Sequence, residues 1–394
     1  MSTKFAFVSH VLPPSWSGQA VMIERVLRGI DPERYCLISK DNYENSLSAA
    51  NYINKLPSQY HHLPPEFEIR LLRSSGKIMW ANTLLGVLQR GARIAQIVRR
   101  EQCCAVVAAT GDLIDLPAAY MASRLAGVVF LPYLFDDYLH QWPDTTRRNI
   151  ARFVESVIFK RSAGIFVPNE FLQQEVMHRH GVSSTIVRNP YRKLDINIGR
   201  KYAPINNGEI TIVYTGAIYQ VNFQAFRNLI NAMDRLNGPS VRLHLYTAQA
   251  PEWLVSQQIC GEKVSCHSHL PDVEIVGIQR DAHILFLPFS FESTTPEVVR
   301  ASAPGKLGDY LSSGTPILAN VPGDSYVSWY LKKYNCGLVV DQPDPSLLVN
   351  AIQRIIEDEN LRSSLAQNAQ DRARIDFCPR QATRSFLDVV NRCS

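Results

Sequence analysis

The sequence predicts an α/β protein built from two doubly wound domains, on three observations. Short apolar strands alternate with amphipathic helices along most of the chain, the pattern of a mostly parallel sheet covered on both faces. The alternation breaks once, over residues 191–207, where Gly199, Pro204 and the basic pairs Arg192-Lys193 and Arg200-Lys201 read as a linker, and it then restarts. At 394 residues, 46% of them hydrophobic, the chain can bury two ordinary cores.

Taken in order, residues 5–9 form an apolar strand and residues 12–18 a loop. Val21, Met22, Ile23, Val26, Leu27 and Ile30 then recur at helical spacing over residues 19–30. A second strand covers 35–39, an amphipathic helix 84–100 and a third strand 105–109. Helix 117–126, strand 128–134, helix 151–160, strand 164–168, helix 171–180 and a short strand over 185–188 complete the first half. The second half repeats the scheme with strand 209–215, helix 223–236 and strand 241–246. Strand 284–288, helix 306–312, strands 317–320 and 337–340, and helices 345–357 and 360–374 follow. A last segment, 379–390, is set apart by Phe377-Cys378.

Composition excludes several classes. A formal net charge of +5 is too mild to imply nucleic acid, yet it suits phosphate-bearing ligands or an anionic membrane surface. The apolar run at the N-terminus is too short for a signal peptide, and no stretch approaches the roughly 18 apolar residues of a membrane span. Eight scattered cysteines lack CxxC pairs and metal-ligand spacing, so they read as reduced thiols. A cytoplasmic protein is expected. GxGxxG and GxxxxGK[ST] are both missing, which argues against a dinucleotide oxidoreductase and a P-loop enzyme.

The stretch richest in chemistry is Ala303-Pro304-Gly305-Lys306-Leu307-Gly308-Asp309-Tyr310-Leu311-Ser312-Ser313-Gly314-Thr315-Pro316. Pro304 and Gly305 open a short helix whose first N–H groups can meet an anion, and Lys306 adds a mobile positive charge. One turn on, the Asp309 carboxylate can accept hydrogen bonds from two ribose hydroxyls. These residues together read as a nucleotide-sugar site. Here the chain resembles the C-terminal half of GT-B glycosyltransferases, most closely the bacterial family 4 (GT4) retaining enzymes of surface-polysaccharide assembly. Their pattern P-S-K-L-x-E-Y-x-A-x-G-x-P-V-L is met with Gly305 for the Ser and Asp309 for the Glu. The resemblance covers essentially the whole chain. It implies two Rossmann-like domains facing across a cleft, with the C-terminal helix crossing back to the first. The domains are then 1–195 with 379–394, on the acceptor side, and 205–376, which binds the nucleotide sugar.

The same resemblance assigns further residues. Gly216 ends strand 209–215, where close approach of a sugar phosphate is implied. Family members follow this glycine with an Arg and a Lys that hold the diphosphate, and residues 217–222 have neither. Lys306, helped by Arg300 or Arg227, is left to supply the charge, unless the donor carries less phosphate charge than a nucleoside diphosphate sugar. The first of two glutamates common in the family falls on Ala301, so Glu292 or Glu297, in a loop after strand 284–288, is left to reach the sugar hydroxyls. In the first half, Ser17-Gly18 stands where the family has Gly-Gly in a P-x-x-G-G loop, making Gly18 a donor-side candidate or an ordinary strand-to-helix turn. Asp136 and Asp137 resemble part of an R-D-x-W-P stretch at the cleft and are candidate catalytic residues beside Lys306. His10, Asp112 and His140 are acceptor-side candidates.

What the resemblance implies is transfer of a sugar from a nucleotide-sugar donor to a saccharide or lipid-linked saccharide, with retention. Neither metal nor cofactor is required, because the leaving phosphate takes the acceptor's proton. A GT-B-like sugar-nucleotide epimerase and a non-catalytic nucleotide- or carbohydrate-binding module are the alternatives. Residues 70–100 carry Arg70, Arg73, Lys77, Arg90, Arg93, Arg99 and Arg100 beside Leu71, Ile78, Trp80 and Leu84. That composition suits peripheral contact with the inner face of the plasma membrane, or a helix packed on the sheet with a solvated basic face.

Overall fold

The computed structural model describes residues 3–43, 55–68, 76–192, 205, 208–268 and 270–392. The chain divides into two compact units, Met1–Pro190 with Pro379–Ser394, and Tyr191–Cys378. Residues 193–204, 206 and 207 of the expected linker lie outside the described residues.

In the first unit β1 (Phe5–Val8), β2 (Tyr35–Ser39), β3 (Gln59–His62), β4 (Ala105–Ala109), β5 (Val129–Tyr133), β6 (Phe166–Val167) and β7 (Thr185–Ile186) form one sheet. Its order is β3-β2-β1-β4-β5-β6-β7, and every pairing is parallel. Strands β1, β2 and β4 are buried along their whole length, as parallel strands must be when helices cover both faces. The helices are α1 (Gly18–Leu27), α2 (Gly76–Arg100), α3 (Asp115–Ala126), α4 (Thr145–Ile158) and α5 (Glu170–His180). Side chains set several starts: Ser17 caps α1, Asp144 caps α4 and Asn169 caps α5, each accepting a backbone N–H of the first turn.

The second unit repeats the plan with β8 (Ile210–Thr215), β9 (Val241–Tyr246), β10 (Val264–His267), β11 (Ile284–Pro288), β12 (Ile317–Asn320) and β13 (Leu338–Val340). Their order is β10-β9-β8-β11-β12-β13, again all parallel. Its helices are α6 (Phe223–Arg235), α7 (Pro251–Ser256), α8 (Asp272–Asp281), α9 (Pro296–Ala301), α10 (Lys306–Ser313), α11 (Tyr326–Lys333), α12 (Pro345–Glu357) and α13 (Glu359–Asp376). Helix α6 packs with α12, and α10 packs with α8 and α13. Ile210, Ile212 and Tyr214 of β8 meet Phe226, Leu229, Leu348 and Ile352 in one core.

In both sheets the strand order reverses beside the first strand, between β1 and β4 and between β8 and β11. The connections leaving those strands diverge to opposite faces, which opens a crevice at the carboxyl ends. The loops after β1, β4, β8 and β11 carry most of the candidate residues.

Where sequence and structure differ, the cause is local. Strands β3 and β10 lie at sheet edges and contain polar residues, so they show no apolar run. Glu297 lies in α9 and not in a loop, because Pro296 occupies its first turn and fixes the helix start. Helix α2 starts at Gly76 and α4 at Thr145, both earlier than their apolar residues suggest.

The last helix, α14 (Pro379–Arg392), belongs to the first unit. Its Phe386 is fully buried, with ring centroids 5.4 Å from Phe5, 6.4 Å from Phe7, 6.1 Å from Tyr133 and 4.9 Å from Phe166. One side chain from the end of the chain thus closes the core of its beginning. Phe386→Ala is expected to cost about 3–5 kcal/mol. Urea unfolding followed by circular dichroism checks this: the transition of the first unit moves to lower denaturant, and an unmoved midpoint would show that α14 does not anchor the sheet.

Candidate functional site

At the carboxyl end of β8, Gly216 has φ +114°, a conformation that a side chain would strain. Its N–H donates to Tyr246 O at 2.9 Å, so the glycine contributes room to the site and no free donor. A Cβ there would stand 3.4 Å from Lys306 Cε and 3.5 Å from Nζ. Lys306 is the first residue of α10, whose cap, Gly305, offers no side chain to the helix N–H groups. Its Nζ donates to Tyr214 Oη at 2.8 Å and lies 4.3 Å from the centre of that ring. Tyr214 in turn donates to Ala217 O at 2.6 Å. Among the described residues no carboxylate offsets this ammonium, and burial alone lowers its pKa to about 8. The helix end adds a partial positive charge of its own.

Several bonds hold α10 against β8. Tyr310 Oη accepts the N–H of Thr215 at 3.0 Å, and Gln279 Nε2 donates to Thr215 Oγ1 at 2.9 Å. Thr315 Oγ1 donates to Gln279 O at 2.7 Å. Gly314, with φ +76°, ends the helix. Asp309, half-buried, accepts the backbone N–H of Arg192 at 2.9 Å. Pro304 accepts the N–H of Leu307 at 2.9 Å, tightening the first turn. Glu297 and Arg300 are exposed at opposite ends of α9. Arg227 is spent elsewhere: its Nε and Nη2 both donate to Gln257 O, at 3.1 and 2.9 Å.

In the first unit, Gly18 opens α1, and a Cβ there would meet nothing within 4 Å. His10 follows β1, and Gly111 (φ +123°) packs so closely on its ring that no other residue fits there. The His10 Nδ1 is buried without a hydrogen-bond partner among the described residues, and burial lowers the pKa of the ring. Asp136 is exposed at the end of β5.

Its neighbour Asp137 is only 3% exposed. Asp137 Oδ1 accepts the N–H groups of Leu139 and His140, at 3.0 and 3.3 Å. Its Oδ2 meets His140 Nδ1 and Arg179 Nη2, both at 3.0 Å. Burial would raise this carboxyl, but His140 and Arg179 outweigh it and hold the pKa below the usual range. Arg179 also pairs with the buried Glu155, which meets His180 Nε2 at 3.0 Å. Asp137 and His140 therefore serve first to shape their own loop.

Asp112 is bound in the same way, to Lys40 and Arg90 at 3.1 Å each and to the N–H of Ile114 at 2.6 Å. Arg90 corrects the expectation of a solvated basic face on α2, since it is 1% exposed. It lies 2.7 Å from Glu66 and 2.5 Å from Asp115, because a guanidinium is buried only where carboxylates compensate it. Burial, and then Asp112, push Asp115 up to about 7. Sequence reasoning missed Arg90, Arg179 and Glu155 as partners of candidate residues. Their partners are distant in the chain, so no local spacing marks them.

The rest of α2 exposes Lys77, Arg99 and Arg100 together with Trp80, Leu84 and Leu88, while Arg93 is half-buried and donates to Pro64 O at 2.6 Å. Trp80 meets Phe153 of α4 with ring centroids 6.0 Å apart. Arg70, Arg73 and Leu71 lie outside the described residues. Among the described residues no helix is long and apolar enough to cross a membrane, and no three His, Cys, Asp or Glu side chains group as metal ligands.

Comparison with known proteins bears on this geometry. Residues 209–358 match the family model of glycosyl transferases group 1. No curated protein sequence matches the chain. Among solved structures, Anabaena Alr3699/HepE in complex with UDP and glucose is similar at 13% identity and a TM-score of 0.70, covering 99% of each chain. Sucrose-phosphate synthase from Thermosynechococcus elongatus is similar at 13% identity and a TM-score of 0.68, covering 99% of this chain and 98% of that one. A glycosyltransferase from Rickettsia africae is similar at 12% identity and a TM-score of 0.65, covering 100% and 99%. At such identities the likeness speaks for the fold. The chain thus has the GT-B fold, and residues 209–358 of its second unit match the group 1 glycosyl transferase model.

Proposed function

We propose that the protein transfers a sugar from a nucleotide-sugar donor to a saccharide or lipid-linked saccharide, with retention and without a metal, as a GT4-like enzyme of cell-surface polysaccharide synthesis. The observation that carries this reading is the Lys306 ammonium, without a counter-charge among the described residues, at the uncapped start of α10 and above Gly216. A partly desolvated cation beside a helix N-terminus is complementary to a diphosphate. The UDP and glucose bound to the HepE relative make a uridine diphosphate sugar the first donor to test.

In this reading Pro304, Gly305 and Lys306 bind the diphosphate, with Arg300 as an exposed second cation. Asp309 takes the ribose hydroxyls, and Glu297 the donor sugar. Gly216 keeps the approach open, and Gly18 offers the small-residue turn of the first unit. Negative charge grows on the phosphate oxygen as the glycosidic bond breaks, and Lys306 stabilises it most at that point. The same oxygen then accepts the proton of the acceptor hydroxyl, so no separate base is required. Asp136 hydrogen-bonds acceptor hydroxyls, while Asp137, with both oxygens engaged, acts as a positioning residue. His10, Asp112 and His140 line the acceptor side. The exposed Trp80, Leu84 and Leu88 with Lys77 support peripheral binding at the cytoplasmic face of the membrane.

Lys306→Ala is expected to slow transfer by about 10²–10³-fold, roughly 2.7–4 kcal/mol of transition-state stabilisation. Its affinity for the nucleoside alone should stay near wild type. Steady-state rates across a nucleotide-sugar panel check this, and a rate within about twofold of wild type would place the diphosphate elsewhere. Donor consumption in the absence of any acceptor would instead favour the epimerase alternative.

The pH dependence has a defined sign. Only protonated Lys306 attracts the diphosphate, so kcat/KM should fall as pH rises through about 8. Lys306→Arg should move that alkaline limb up beyond the titration of lysine; an unchanged limb would assign it to another group.

Asp309→Ala should weaken nucleotide binding by about 1.5–3 kcal/mol, as loss of a charged hydrogen bond does. Calorimetric titration with UDP reads this directly, and a wild-type affinity would remove Asp309 from the site.

A further inference from the structure

A second concavity in the Tyr191–Cys378 unit has no part in the reading above. It has a volume of about 810 Å³ and lies between the first turns of α6, helix α7 and the loop after β11. Neither Gly216, Lys306 nor Asp309 lines it. Its volume falls within the roughly 300–1,000 Å³ of small-molecule pockets, enough for a short oligosaccharide.

Two kinds of surface meet there. Trp253 and Tyr219 stay 37% and 63% exposed, and Phe223 braces the Trp253 ring edge-on at 5.5 Å. The polar side chains are held in place by bonds they already make. Gln224 Oε1 accepts the N–H groups of Phe291 and Glu292 at 2.8 and 3.0 Å, which fixes the amide with its NH2 as the remaining donor. Arg227 has Nε and Nη2 anchored on Gln257 O, with Nη1 as a further donor. Glu292 is exposed and supplies acceptors.

The combination selects a ligand class. A pyranose ring has an apolar C–H face, which packs on an aromatic plane, and a rim of hydroxyls that both donate and accept. The lining carries one cation, Arg227, and one carboxylate, Glu292, a net charge of zero that favours a neutral ligand over a phosphate. A purely apolar ligand would desolvate Gln224, Arg227 and Glu292 without returning hydrogen bonds. We propose that this cavity is a saccharide-binding site, which takes neutral sugar units separately from the nucleotide.

Saturation-transfer NMR on the full chain tests it, with maltotriose, cellotriose, lactose and N,N′-diacetylchitobiose as probes. At least one should receive saturation on its ring C–H protons at millimolar concentration. Trp253→Ala and Glu292→Ala should each weaken that binding at least about tenfold, while Trp253→Phe, which keeps an aromatic plane, retains it. UDP affinity, measured by calorimetry on the same variants, should stay within about twofold and also report that they are folded. Three results overturn the proposal: no signal from any probe, binding unchanged by both alanine variants, or parallel loss of UDP affinity in Trp253→Ala. The last would make the cavity part of the nucleotide site. Transfer activity is a separate measurement, so failure here leaves the Lys306 reading standing.

Discussion

Both units depend on one constraint: all their strands run parallel. A parallel sheet cannot turn back through hairpins, so every strand is followed by a crossover, and every crossover starts at the same edge of the sheet. The loops after β1, β4, β8 and β11 are therefore gathered at carboxyl ends before any side chain is considered. The order reversal beside β1 and beside β8 then separates neighbouring crossovers onto opposite faces, leaving backbone without a helix above it. Gly111 and Gly216 stand on loops that leave these strands, and Gly18 opens the helix that follows β1. At both Gly111 and Gly216 the positive φ disfavours a side chain, and at Gly111 a side chain would also strike the His10 ring.

Buried charge around the candidate residues is handled differently in the two units. In the first, each buried ion has partners. Arg90 is set among Glu66, Asp112 and Asp115, and Arg179 between Asp137 and Glu155. Such clusters repay the cost of desolvation through mutual attraction and lock the loops that carry them. In the second unit the Lys306 ammonium touches a tyrosine hydroxyl and ring, with no carboxylate among the described residues to offset it. An arrangement that lowers a lysine pKa is unfavourable in the free protein, and binding an anion relieves it. Lys306 is thus left with charge to offer a ligand, while Asp112 and Asp137 are engaged within their own loops.

Much of the architecture was legible in the sequence. The strands at 35–39, 105–109, 241–246, 284–288 and 317–320 stand where their apolar runs predicted them. All but 241–246, where burial alternates with the sequence, are buried along their whole length, and that burial is written locally as near-continuous apolar residues. The same holds for Pro345–Glu357, where a proline start and helical periodicity agree. Edge strands β3 and β10 and the short helix α7 were not legible, because half-exposed elements have no obligatory apolar pattern.

For the site, the sequence by itself determined which residues stand at strand ends and helix starts: His10, Gly18, Asp112, Asp136, Gly216 and Lys306. Chain order and turn chemistry suffice for that. Only the tertiary structure decided which polar and charged candidates already have partners. It joined Asp112 to Arg90, Asp137 to Arg179 and Arg227 to Gln257, and it left Lys306 beside a neutral hydroxyl. It also assembled Trp253, Gln224 and Glu292 around one cavity. The physical reason is range. Periodicity and capping act over a few residues, whereas ion pairing and cavity walls depend on which distant segments the sheet brings within a few ångströms.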